Sequence, residues 1–150
     1  MAMASGFFVL NWRDIIDPTQ LTVDFTSSGL IVCLFDNSFD SGDFDTITAH
    51  AGLNGELTTG GGYTQHNKTL SGITPTVGLG NAGQLKYTWT VQNYVQWTSA
   101  SFTSYGMTIS LASTNEPLVA VSFAGAYTAT SGNFTVTAHA DGIWYLDLVP

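Results

Sequence analysis

Polar and apolar residues alternate most regularly in the last third of the chain, residues 117–150. Residues 117–123 are predicted to form a strand. After the polar stretch 124–131, a second strand is predicted at 134–139, with apolar residues at every other position. A period of two is typical of a strand with one face buried and one face in water. This part of the chain therefore predicts antiparallel β-structure.

The residues Ala140, Asp141 and Gly142 are typical of a turn, and alternation resumes at 143–148. A two-residue Asp-Gly turn would mix apolar and polar side chains on both faces of the resulting hairpin. A three-residue loop with Gly142 in the left-handed conformation keeps the faces separate, so we expect this second register. Its predicted apolar pairs are Ala138 with Trp144, Val136 with Leu146, and Phe134 with Leu148.

Near the start of the chain, apolar residues recur at helical spacing until Pro18 ends the pattern; they are Phe8, Trp12, Ile15 and Ile16. The spacing predicts a short amphipathic helix of two to three turns. Its aromatic face has two alternative partners. The helix could dock on the chain's own sheet, or it could be an arm that lies on a neighbouring subunit.

The middle of the chain contains further strand patterns. The continuous apolar run 30–35 suits a strand covered on both faces, and residues 84–91 alternate. Counting all such runs predicts about eight to ten short strands, which favours an all-β fold, an antiparallel β-sandwich of the jelly-roll or immunoglobulin-like type. The predicted division is an N-terminal arm or short helix at 1–18 and a single sandwich domain at 19–150.

Length and charge narrow the classes of function. A chain of 150 residues is long enough for one domain with a large core. Three basic residues against eleven acidic ones give a formal net charge of −8, which disfavours binding to phosphate backbones. We predict neither a signal peptide nor a membrane span. The single cysteine, Cys33, lies within the apolar run and is interpreted as a buried structural thiol.

Two segments resemble ligand sites. The acidic loop 36–46 could offer calcium the carboxylates of Asp36, Asp40, Asp43 and Asp45, but its glycine is displaced from the EF-hand position, so we favour a solvated loop. Residues 78–83 match the dinucleotide fingerprint G-x-G-x-x-G. A strand pattern follows them instead of a helix, and Thr103 stands where the ribose-binding acid would be, which argues against a cofactor site.

The sequence offers no catalytic signature. His50, His66 and His139 are far apart in the chain, lack the spacing of paired metal ligands, and are predicted to be surface residues. Glu56 and Glu116 lie in predicted loops. We therefore expect a protein that is not an enzyme and that has no catalytic residues, cofactor or metal.

A series of short motifs runs through the chain in this order: Gly62-Tyr-Thr64, Lys68-Thr-Leu70, Trp97, Phe102, the strand 117–123, Gly132-Asn-Phe-Thr135 and Asp141-Gly-Ile-Trp-Tyr-Leu146. Over roughly residues 20–148 the series resembles small virion structural proteins of tailed bacteriophages. The resemblance implies an all-β protein of the phage particle, either a capsid decoration (cement) protein or a tail component, and it carries over no catalytic residues. The chain departs from the family pattern near its N-terminus, where a Lys-rich helix is common.

The favoured expectation is a decoration protein on the capsid surface of the virion. Its expected partners are the major capsid protein and neighbouring copies of itself, in a homo-oligomer on the particle, without nucleic acid or membrane. Apolar residues grouped at a terminus can reach a neighbour, and the negative charge suits basic capsid patches. The predicted contact residues are Phe7, Phe8, Val9, Leu10 and Trp12.

Two alternatives stay open at this point. One is a tail or fibre protein of the same particle. The other is a carbohydrate-binding module, because Trp and Tyr rings on an open sheet face can stack on sugars. Burial of Trp89, Trp97 and Trp144 would remove the stacking platform that this second alternative needs.

Overall fold

The computed structural model describes residues 3–17, 21, 23, 29–70, 73–77, 84–89, 94–138 and 144–147. Strands predominate, as the sequence predicts, and there is one short α-helix in this part of the chain. The elements in chain order are β1 (Gly6–Phe7), α1 (Val9–Ile16), β2 (Leu30–Phe35), two 3₁₀ helices (Ser41–Asp45 and His50–Gly52), β3 (Lys68–Leu70), β4 (Ile73–Val77), β5 (Gln84–Trp89), β6 (Tyr94–Leu111), β7 (Pro117–Thr137) and β8 (Trp144–Asp147).

The strands form two antiparallel sheets. The larger sheet has five strands in the order β1-β7-β6-β2-β3, and the smaller sheet has three in the order β4-β5-β8. In the larger sheet, β2 pairs with β3 on one side and with β6 on the other. Strand β1 pairs with β7 through Gly6 and Phe7, so the N-terminal segment belongs to this sheet. The predicted domain boundary at residue 18 lies outside the described residues.

Strand β2 is buried along its whole length, which confirms the prediction from its continuous apolar run. Alternate side chains point into two separate apolar clusters, one on each face of the sheet. Leu30, Val32 and Leu34 belong to the cluster on one face, whereas Ile31, Cys33 and Phe35 belong to the cluster on the other. Burial on both faces explains why β2 contains no polar residue.

Strands β6 and β7 form a long ladder that runs from the pair Tyr94–Thr137 to the pair Ser110–Pro117. A tight turn closes it, in which the Leu111 amide donates to the Glu116 carbonyl at 2.9 Å. The two strands predicted on either side of the polar stretch 124–131 are one strand, because β7 continues through these residues. The register shifts between β6 and β7 in this region, and Ala124 and Ser131 take positive φ angles of 60° and 51°. The polar stretch is therefore accommodated within one strand by bulge-like irregularities of the backbone.

The predicted C-terminal hairpin is wrong in its pairing. Strand β8 pairs with β5, with Trp144 opposite Tyr87 and Leu146 opposite Leu85. Val136 of β7 instead pairs with Val95 of β6. Alternation determines which side chains share a face of the strand. It does not determine the neighbouring strand, because any strand with the same alternation can pair with it. The face assignment of β7 is confirmed, since Phe134 and Val136 are at least half-buried and their threonine neighbours are exposed, while the loop around Gly142 lies outside the described residues.

Helix α1 confirms the predicted N-terminal helix and docks on the chain's own sheet. The Trp12 indole N–H donates to the carbonyl of Leu118 at 2.8 Å, and the Phe8 amide donates to the same carbonyl at 3.1 Å. The Asn11 side chain donates to the carbonyl of Pro117 at 2.6 Å. Three hydrogen bonds therefore fix the start of α1 to the start of β7. No helix in the described part of the chain is long and apolar enough to cross a membrane.

Candidate functional site

A polar cluster lies at the end of β2 where four separate segments meet. Its members are the side chains of Cys33, His50, Glu56 and His66, whose donor atoms all lie within 4.8 Å of one another. We call this group the Cys-His-Glu cluster. A surface groove of about 460 Å³ opens beside it and is lined in part by His50, Glu56 and His66.

Strand β2 positions two members of the cluster. Cys33 is part of the strand, and Glu56 lies alongside its end in a single antiparallel bridge with Phe35. Amides on both sides of that bridge donate to carbonyls, Asp36 to Gly55 at 2.8 Å and Leu57 to Leu34 at 2.9 Å. The carboxylate of Glu56 is therefore fixed next to the thiol-bearing strand by backbone pairing.

The turn between β6 and β7 positions the two histidines through one residue, Asn115. The amide of His50, at the start of the second 3₁₀ helix, donates to the backbone carbonyl of Asn115 at 2.9 Å. The side-chain oxygen of Asn115 lies 3.1 Å from Nδ1 of His66. His66 has a φ of 56°, a conformation that non-glycine residues seldom adopt and that costs free energy. This strained residue places its ring 4.4 Å from the ring of His50, measured between centroids.

The Glu56 carboxylate is the centre of the cluster. Its Oε2 lies 2.9 Å from Nε2 of His50 and 3.1 Å from Nε2 of His66, and its Oε1 accepts from the Tyr63 hydroxyl at 2.8 Å. Burial would raise the pKa of Glu56, but hydrogen bonds with His50 and Tyr63 outweigh burial and hold the pKa below its usual value. Glu56 is therefore a carboxylate, with only 10% of its side chain exposed.

The Tyr63 hydroxyl connects the carboxylate to the sheet. It accepts a hydrogen bond from the Leu34 amide at 3.1 Å and donates to Glu56. Burial raises the pKa of Tyr63 well above its usual value, so the hydroxyl keeps its proton. The neighbouring Cys33 is fully buried, and burial together with the charge of Glu56 raises the pKa of its thiol to about 12. In the absence of a cation, Cys33 is thus a neutral thiol.

The prediction that all three histidines are surface residues is wrong for His50, which is 4% exposed. His66 is partly buried beside it, and His139 lies outside the described residues. Ligands that assemble in space from distant segments leave no spacing signal in the chain. The one signal in the sequence is Cys33, a thiol at the centre of an apolar strand, and the same pattern also suits a buried structural cysteine.

The acidic loop has a different organisation from a calcium site. Asp36 Oδ1 accepts from the amide and hydroxyl of Ser38, and Asp40 Oδ1 accepts from the amide of Gly42, as in local Asx turns. Phe39 between them is buried against Phe35. In the described ranges, the Cys-His-Glu cluster and not this loop brings candidate ligands together.

The predicted partner-contact residues at the N-terminus are in three different environments. Phe8 is fully buried inside the chain's own core and Trp12 is 7% exposed, while Phe7 and Leu10 are half-buried. Val9 is 51% exposed and Ile16 is 76% exposed. A shallow, mainly apolar depression of about 380 Å³ lies on this side of the helix. We call its lining residues the α1 surface; they are Phe7, Val9, Trp12, Arg13 and Ile16.

Comparisons of the chain with protein-family models, with curated proteins and with solved structures found no match in any of the three.

Proposed function

We propose that the protein is a non-enzymatic structural component of a tailed-bacteriophage virion, a capsid decoration protein that binds the outer surface of the major capsid protein shell and stabilises it. The motif series that resembles phage virion proteins motivates this proposal. The observation that carries it is the α1 surface, where Val9 and Ile16 expose apolar side chains from a helix that hydrogen bonds to the main sheet.

Exposed apolar side chains on a rigid support are suited to a protein interface. Aromatic and aliphatic anchors at the centre of an interface supply much of its free energy of association, and a support that does not reorganise lowers the entropy cost. Three hydrogen bonds hold α1 against β7. The depression between Phe7, Trp12 and Ile16 can accept a side chain from the shell.

Charge supports the same assignment. The net charge of −8 favours association with a basic surface and disfavours association with nucleic acid. Attachment to the shell through complementary charge weakens at high salt because exposed charges are screened. Arg13 lies within the α1 surface and pairs with the neighbouring Asp14 at 2.7 Å, so this part of the surface carries little net charge.

The proposed architecture is a β-sandwich in which the three-stranded sheet covers one face of the five-stranded sheet. Both sheets are antiparallel, as in jelly-roll and immunoglobulin-like domains. The backbone register pairs Leu85 of β5 with Leu146 of β8, and Tyr87 with Trp144. The sequences of both strands alternate apolar and polar residues, a pattern typical of strands with one face covered by a second layer.

The carbohydrate-binding alternative has less support. Its predicted stacking platform needs Trp97 on an open face, but Trp97 is 1% exposed and packs against Phe134 and Tyr63. Trp12, the other tryptophan whose side chain is described, is also buried. The side chains of Trp89 and Trp144 lie outside the described residues.

The proposal is tested by replacing Val9 and Ile16 together with serine and measuring occupancy on purified particles. The matched control replaces Tyr94 and Tyr127, which are exposed on the β6–β7 ladder at 40% and 56%, with serine. We expect occupancy to fall for the helix variant and to stay unchanged for the ladder variant, with unchanged circular dichroism in both. Equal occupancy of the two variants would overturn the assignment of the α1 surface.

Copy number separates the capsid from the tail. A decoration protein is present in numbers comparable to the capsomers of the shell. A handful of copies per particle would place the protein in the tail, and its absence from particles would overturn a virion function altogether.

A further inference from the structure

We propose that the Cys-His-Glu cluster is a binding site for a divalent transition-metal ion, with zinc as the preferred ion and Cys33, His50, Glu56 and His66 as its four ligands. This site is independent of the proposed role on the virion. The argument rests on donor geometry, on the types of donor atom, and on the residues that hold the ligands in place.

The donor atoms are already close to the arrangement that zinc requires. Tetrahedral zinc, with bonds of about 2.0–2.3 Å to nitrogen, oxygen and sulfur, needs donor atoms separated by about 3.3–3.7 Å. Glu56 Oε2 lies 2.9 Å from one imidazole nitrogen and 3.1 Å from the other, and all four donors fall within 4.8 Å. Shifts of about 1 Å or less, on the scale of side-chain rotation, bring the four donors to these distances.

His66 can offer its Nε2 to an ion. Its Nδ1 lies 3.1 Å from the side-chain oxygen of Asn115, and its Nε2 lies 3.1 Å from Oε2 of Glu56. The tautomer that donates from Nδ1 to Asn115 presents a lone pair at Nε2. An ion bound beside Nε2 and Oε2 would have both atoms as ligands.

Two of the ligands, His66 and Glu56, have outer hydrogen-bond partners of the kind that metal sites use to orient imidazole and carboxylate groups. The side-chain oxygen of Asn115 lies 3.1 Å from Nδ1 of His66, so it can accept from the tautomer that presents Nε2 to an ion. Tyr63 donates to Oε1 of Glu56, which directs Oε2 toward the two histidines. The strained backbone of His66 is consistent with a residue that is held in place for its side chain.

The donor types select the ion. One thiol, two imidazoles and one carboxylate form a mixed sulfur, nitrogen and oxygen set that suits zinc, whereas calcium and magnesium prefer oxygen ligands alone. Binding releases the Cys33 proton, because the thiolate is the form that coordinates a metal. Four protein ligands fill the tetrahedron and define a structural site without an open position for substrate.

The site would connect parts of the chain that are far apart in sequence. Cys33 is on β2, His50 starts a 3₁₀ helix, and His66 precedes β3. The groove beside the cluster leaves 32% of the His66 side chain exposed, so an ion can enter after the sheet has formed. An ion that binds only the folded chain shifts the folding equilibrium by about 100-fold at a free concentration 100 times its Kd.

The first experiment uses the full chain, stripped with a chelator and titrated with Co²⁺ as a spectroscopic substitute for zinc. Cys33 is the single cysteine in the sequence, so a thiolate-to-cobalt charge-transfer band reports on this cluster alone. We expect the band to saturate at one equivalent of Co²⁺ and to disappear when zinc is added. A titration without this band overturns the proposal, even if metal binds elsewhere.

The second experiment compares two variants by zinc affinity and by the change in melting temperature on adding zinc. His66→Asn removes a ligand at a partly exposed position and keeps a residue type that tolerates positive φ. Asp45→Asn, in the exposed acidic loop, is the control for adventitious binding. We expect affinity to fall more than 100-fold in His66→Asn and to be unchanged in Asp45→Asn. Equal zinc-induced shifts in wild type and His66→Asn would overturn the assignment.

Discussion

The β6–β7 ladder passes through two environments. In its turn-proximal part, residues 106–111 of β6 are all buried, and they lie between β2 and β7. In its distal part, residues 94–104 pair with 127–137, and buried and exposed side chains alternate. The same two strands therefore form a covered layer at one end and a half-exposed ribbon at the other.

The difference shows what alternation in a sequence can and cannot establish. Thr108 and Ser110 alternate with apolar residues, as on a strand with one face in water, yet both are fully buried. Neither hydroxyl has a hydrogen-bond partner in the described part of the chain. In the distal part, alternation has its usual meaning, because Thr135 and Thr137 are exposed on either side of the half-buried Val136. Alternation predicts which residues lie on each face of a strand. Whether the more polar face is exposed to water or buried depends on the other segments that pack against it.

The largest expected effect is the loss of a side chain from the turn-proximal part. Ile109 is fully buried and pairs with Val32 and Val119. We expect Ile109→Ala to lower the free energy of unfolding by about 2–5 kcal/mol, because the neighbours on both strands cannot close the cavity. Urea denaturation measures this. A loss below about 1 kcal/mol would show that the covered part is loosely packed.

The next effect compares two glycines on the same ladder. A Cβ at Gly106 would lie 2.5 Å from the backbone oxygen of Val121 and would also meet Met3, whereas a Cβ at Gly125 would meet nothing within 4 Å. We expect Gly106→Ala to destabilise the protein by about 1–3 kcal/mol through overpacking, and Gly125→Ala to stay within about 0.5 kcal/mol of wild type or to stabilise slightly. Thermal melting tests both. Equal losses would show that the close contacts around Gly106 do not limit substitution there.

The smallest expected effect comes from replacing threonine with valine at one position in each environment. Thr108→Val removes a buried hydroxyl that has no hydrogen-bond partner in the described ranges, so we expect stabilisation by about 1 kcal/mol. Thr103→Val removes a hydroxyl that lies 2.7 Å from that of Thr128 at the surface, so we expect a change within about 0.5 kcal/mol. Urea denaturation measures both changes in the free energy of unfolding, and the increase for Thr108→Val should be larger than any change for Thr103→Val. Destabilisation by Thr108→Val would show that its hydroxyl has a partner.

Much of the fold could be predicted from the sequence where one segment determines its own environment. The apolar run of β2 specified burial on both faces, and the spacing of Phe8 and Trp12 specified a helix with its buried side. Pairing could not be predicted in the same way. The pattern at 143–148 suits β7 as well as β5, and the choice depends on the packing of the whole chain.

The Cys-His-Glu cluster could not be predicted for the same physical reason. Cys33, His50 and His66 are brought together by a backbone bridge at Glu56 and by the turn that contains Asn115. Neither contact leaves a local spacing in the chain. The partner-contact residues were predicted from their position at a terminus, and that reasoning did not separate the buried Phe8 from the exposed Val9.

The tight turn between Leu111 and Pro117 also has a kinetic consequence. Strand pairs beside the turn close a loop of a few residues, whereas the pair Tyr94–Thr137 closes a much longer one, so the ladder can form outward from the turn at low entropic cost. Substitutions near the turn should therefore slow folding, with φ-values well above those of substitutions at the distal end, which should mainly accelerate unfolding. Stopped-flow refolding of Ile109→Ala and Val136→Ala would show whether the strands form in this order.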